Sequence, residues 1–71
     1  MAKKRPKAAN PWPQRLADLR TFYDLSQEEA AARIDAPVGT WRNWEQGRRK
    51  PNPMIIRLLQ LAFSEFFARK K

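Results

Sequence analysis

Seventy-one residues allow one domain at most, and a core of that size can form without covalent staples. The chain has no cysteine and no histidine, so disulfides, thiolate metal sites, the usual general base and the commonest metal ligand are all missing. Those absences point away from an enzyme, while fifteen Lys+Arg against seven Asp+Glu, a net charge of +8, point towards a polyanionic partner.

The excess charge is uneven. Lys3, Lys4, Arg5 and Lys7 stand in a stretch with no acid, residues 14–53 are close to balanced, and the tail is basic again. Residues 1–10 offer nothing to bury and are expected to form a disordered basic arm ahead of a domain over 11–71. The early lysines run into Pro6 and polar residues, and no apolar stretch approaches the ~20 residues of a membrane span. A soluble, cytoplasmic chain with no metal and no cofactor is expected.

Asn10-Pro11-Trp12-Pro13 punctuates the chain and predicts a helix starting near Pro11 or Pro13, since proline is tolerated in a first helical turn. Leu16, Leu19, Phe22 and Tyr23 give that helix its apolar stripe. Leu25-Ser26-Gln27-Glu28-Glu29 then reads as a capping box, with Ser26 and Glu29 each satisfying the other's backbone N–H and with Leu25 and Ala30 as a hydrophobic staple. Ala30, Ala31 and Ala32 favour helix and leave room for a second helix to come close. Asp35-Ala36-Pro37 must turn the chain.

A third helix follows over 37–46. Trp41 and Trp44 lie on one side with Glu45 beside them, and Val38, Gly39, Arg42 and Asn43 lie towards the other. Gly47 suits a left-handed helix terminus. Asn52-Pro53 opens a last helix over 53–70, in which Ile55 to Leu59 must close the core. Phe63, Phe66 and Phe67 have two open uses, as a lid on the monomer core or as a self-association surface. No strand pattern occurs, so the expected fold is all-α, a small bundle of four to five helices.

Residues 25–51 resemble the helix-turn-helix of the Cro/phage-repressor (Xre-type) family of bacterial and phage transcription regulators, and the likeness extends more loosely over about 14–62. Its most specific parts are Leu25-Ser26-Gln27-Glu28-Glu29-Ala30-Ala31, Trp44-Glu45-Gln46-Gly47 and Arg48-Arg49-Lys50-Pro51. The resemblance implies a lambda-repressor-like DNA-binding domain and double-stranded DNA as partner. Val38, Gly39, Arg42 and Asn43 match groove-facing positions. Gln27 matches a residue that touches phosphate and braces the third helix, Gln46 and Arg48 match further phosphate contacts, and Ala31 matches the small residue between the two helices. Arg20 and Glu45 match a buried ion pair.

Chemistry gives these matches content. Arg42 can pair bidentately with guanine, Asn43 with adenine, and Val38 can pack on a thymine methyl, although phosphate contacts remain open for the polar pair. Thr40, Arg49, Lys50 and the basic arm (Lys3, Lys4, Arg5, Lys7) are further candidate phosphate contacts. The sequence departs from the family at Asp35, where glycine is usual, and at Trp41, where Ile or Val is usual. Trp41 fits either the core or a stack against the DNA backbone. The expected function is a small homodimeric repressor on an inverted-repeat operator, of the kind found among phage regulators, including those that accompany anti-CRISPR genes. An antitoxin-like or adaptor module, binding a protein through its aromatic C-terminal surface, is the alternative.

Overall fold

Helix start and stop signals divide residues 10–68 into five helices, and three of the boundaries share one device. The computed structural model describes residues 10–68. Helix α1 (Trp12–Tyr23) begins after Pro11 with Pro13 inside its first turn, α2 is Gln27–Arg33, α3 is Val38–Glu45, α4 is Pro53–Ala62 and α5 is Ser64–Ala68. The expected all-α bundle is what forms.

Helices α1, α2 and α3 are each followed by a residue at positive φ: Asp24 (59°), Asp35 (58°) and Gly47 (79°). In each case that residue and the next donate backward to carbonyls of the last turn. Leu25 N–H reaches Arg20 O at 2.9 Å, Ala36 N–H reaches Ala31 O at 2.9 Å, and Arg48 N–H reaches Asn43 O at 3.0 Å. These are Schellman closures, which satisfy carbonyls that a helix end otherwise leaves orphaned. Aspartate serves at two of them because its short polar side chain visits the left-handed region more readily than most.

The starts are equally local. The Ser26 hydroxyl accepts from Glu29 N–H at 3.0 Å and the Glu29 carboxylate accepts from Ser26 N–H at 2.9 Å, which completes the capping box. Asn52 Oδ1 accepts from Ile55 N–H at 2.8 Å at the head of α4.

Helix α3 packs against both α1 and α2. Its inner side carries Trp41 and Trp44, which join Leu16, Leu19, Ala30, Ala31, Ile34, Leu59 and Phe63 in one core. Ala30 and Ala31 are buried, as a close α2–α3 contact requires. Trp41 is fully buried, so the core reading holds and stacking against DNA does not.

The C-terminal region differs from expectation in three ways. The single helix over 53–70 is interrupted at Phe63, whose backbone (φ −122°, ψ 42°) leaves the helical region. The break turns the Phe63 ring into the core, 5.2 Å from the Tyr23 ring and 6.4 Å from Trp41, so Phe63 is removed from the expected dimer surface. Phe66 and Phe67 are half-buried over α1, where Phe66 lies 5.7 Å from Phe22 and Phe67 lies 6.5 Å from Trp12. Tyr23 Oη also accepts from Phe66 N–H at 3.0 Å, which pins α5 in place. The aromatic run is therefore chiefly a lid.

The third difference lies on α4. Leu59 is buried, but Leu58, expected in the core, is 39% exposed, and Met54 and Leu61 are 73% and 71% exposed. Positions 54, 58 and 61 share one side of a helix. The uncovered apolar face is on α4. No helix among the described residues is long and apolar enough to cross a membrane.

Candidate nucleic-acid interface

The site is built outward from one carboxylate. Glu45 ends α3 and accepts from Arg20 of α1 (Nε 2.7 Å, Nη2 3.1 Å), from Trp41 one turn earlier (Nε1 2.6 Å) and from Gln27 at the start of α2 (Nε2 3.1 Å). A single side chain thus ties α3 to both helices it packs on. The expected Arg20–Glu45 pair is present, but half-buried, with 26% and 11% of the two side chains exposed. Burial pushes the Glu45 carboxyl up. Donation from Arg20, Trp41 and Gln27, with the charge of Arg20, outweighs that and leaves it below its ordinary value. The Arg20 guanidinium is raised, chiefly by its hydrogen bond with Glu45.

The chain of bonds continues to the surface. Gln27 gives its amide N–H to Glu45, and its amide oxygen accepts from Arg42 Nε at 3.3 Å. An amide has distinct donor and acceptor ends, so a carboxylate on one side and a guanidinium on the other fix its orientation. Arg42 is exposed, and this is its only hydrogen bond to a described residue. Its terminal nitrogens are left available for another ligand.

The outer side of α3 presents Gly39, Arg42 and Gln46, all exposed and spaced three and four apart on one edge. Val38, Thr40 and Asn43 flank it half-buried. A Cβ built on Gly39 meets nothing within 4 Å, so this edge is open and could be approached to backbone distance. Beyond Gly47 the loop carries Arg48, Arg49 and Lys50, all exposed. Across residues 36–64 the only carboxylate is Glu45, already occupied by Arg20, and Asp35 is the acid that shares a cleft with Arg49 and Lys50, so positive charge predominates along this edge. A local excess of positive charge attracts a polyanion.

The expected groove-facing residues Val38, Gly39, Arg42 and Asn43 are thus brought onto or beside one open edge, with Gln46 and the 48–50 loop following. Gln27 is brought to the same place, but its side chain is already engaged at both ends. Lys3, Lys4, Arg5 and Lys7 lie outside the described residues. Trp41 was missed as a ligand of Glu45, although its spacing of four on a helix is a signal for such contact. The Gln27–Arg42 bond, between residues 15 apart, has no local signal. Comparison with protein-family models, with curated proteins and with solved structures finds no match to this chain.

Proposed function

We propose that this chain is a sequence-specific double-stranded DNA-binding regulator acting as a small repressor, with the outer edge of α3 seated in a major groove. The observation that carries the reading is the predominantly basic edge on a helix clamped to its neighbours through Glu45. Rigid presentation matters because base readout depends on placing side chains to within a fraction of an ångström.

In this reading Arg42 gives its two terminal nitrogens to guanine O6 and N7 while Gln27 holds Nε. Asn43 and Val38 read neighbouring bases, and Gly39 lets the helix come close. Thr40, Gln46, Arg48, Arg49 and Lys50 hold phosphates and set the register. Gln27 is then a positioning residue for Arg42, and any phosphate contact falls to its backbone N–H at the head of α2. Two copies on an inverted repeat would sit about one helical turn apart, ~34–36 Å. Occupancy of promoter DNA suffices for repression in the cytoplasm, with no catalytic step and no cofactor.

The test is a selection from random duplexes with the full chain. An enriched, two-fold-related motif with a conserved guanine that is lost in Arg42→Ala supports the reading. Recovery of unenriched sequences, with binding abolished by any polyanion, refutes it.

A further inference from the structure

The exposed face of α4 does not end at Leu58. Leu58 and Ile55 also line a cleft between the α2–α3 turn and the loop that follows α3, where Ile34, Ala36, Pro37 and Trp44 add to the apolar lining. Three cations stand around it: Arg33 at the end of α2, and Arg49 and Lys50 from the loop, all exposed. The Arg33 guanidinium is 6.0 Å from the Phe63 ring, which holds it at the rim. Arg57 adds a fourth exposed cation on α4, and among the described residues Asp35 is the one acid lining the cleft. The groove between α1 and α5 differs, since its lining carries one cation, Arg15, and one acid, Asp18, and its aromatic wall packs internally.

We infer that this cleft and the Met54–Leu58–Leu61 face together dock an acidic amphipathic helix from another protein. Apolar side chains at helical spacing lie along α4 and enter the cleft, while flanking carboxylates meet Arg33, Arg49 and Lys50. This is helix-in-groove recognition, with area from the apolar stripe and orientation from the charges. A second copy of this chain suits the surface poorly, because the same cations would face one another with only Asp35 to offset them. The surface shares Thr40, Arg49 and Lys50 with the proposed DNA contacts, so peptide and DNA would compete there, while Arg33 and the Met54–Leu58–Leu61 face belong to the docking surface alone.

The test uses the full chain and three synthetic peptides of about 14 residues, near the shortest length at which a helix is populated in water. The first has leucines at helical spacing among glutamates. The second replaces those leucines with serine, and the third replaces the glutamates with lysine. Fluorescence anisotropy should show the first binding at least about tenfold tighter than either control. NMR shifts should fall on the Trp44 indole and on the Ile55 and Leu58 methyls. Leu61→Asp, at a position exposed enough to keep the fold, should weaken the first peptide about tenfold, and Arg33→Ala about two- to fivefold. Equal binding of the serine peptide would reduce the surface to a polyanion site and overturn the inference. So would shifts at Phe22 and Phe66, absence of binding at millimolar peptide, or a self-association of the free chain that Leu61→Asp abolishes.

Discussion

Replacing Glu45 by alanine is the sharpest test of how this domain is held together. The substitution removes an acceptor that serves four N–H groups on Arg20, Gln27 and Trp41. Arg20 is one-quarter exposed and can rehydrate in part, so its share falls below the ~3–5 kcal/mol of a fully buried broken pair. The Trp41 indole cannot rehydrate, and an orphaned buried donor costs about 1–3 kcal/mol. Together these give roughly 3–4 kcal/mol, a large part of the stability typical of so short a chain. At about 4–8 °C per kcal/mol for a small domain, the thermal midpoint should fall by roughly 12–30 °C. Circular dichroism melts of Glu45→Ala beside Glu65→Ala, an exposed carboxylate, measure it. A midpoint within about 4 °C of wild type would refute the reasoning, since it would mean that water already serves these donors.

Four further outcomes follow. The Glu45 carboxyl is held below its ordinary value, so its contribution is fully present above the unfolded-state pKa of about 4.3 and is lost as pH falls through the lower folded-state value. Melts between pH 7 and 2 should show that loss, and Glu45→Gln should flatten it. Gln27→Ala should relax guanine preference at one operator position while leaving the salt dependence of binding nearly unchanged, whereas loss of a phosphate contact would lower that slope by about one unit. Asp35→Gly should raise the melting temperature by a few degrees, because glycine meets the positive φ without the Cβ conflict. Deleting residues 1–9 should lower the salt slope of DNA binding and leave the selected motif unchanged, as a filter-binding series would register.

Legibility in the sequence tracked the range of the interaction. The capping box at Ser26 and Glu29, the Asn52 cap and the Gly47 terminus depend on residues within five of each other, and all stand where the spacing put them. The left-handed Asp35 was legible because it stands where the resembled family usually has glycine. Asp24 plays the same part without having been singled out, since Phe22 to Leu25 contains no glycine or proline to mark an end. The Arg20–Glu45 pair, 25 residues apart, was reachable through family resemblance alone. The C-terminal aromatics were not legible. A continuous helix and a broken one share the same three-and-four spacing up to Phe63, and no glycine or proline stands between Met54 and the break. What decides it is tertiary: the Phe63 ring is buried against Tyr23 and Trp41, and the Tyr23 hydroxyl takes the Phe66 N–H. Burying that ring turned α5 back over α1 and left Leu58 and Leu61 uncovered.

If α3 reads DNA as proposed, the resulting arrangement couples stability to readout through one network. Arg20, Glu45, Gln27 and Arg42 form a continuous line of hydrogen bonds from α1, through the end of α3, to its open edge. Breaking it at Glu45 unfolds the clamp and misplaces Arg42 together, so lost DNA binding in that variant says nothing about reading. Breaking it at Gln27 spares the Arg20 and Trp41 bonds and releases only the last link. A stable Gln27→Ala protein with relaxed guanine preference would separate the two roles, because a purely structural glutamine would lower the melting temperature and leave the base preference as it was.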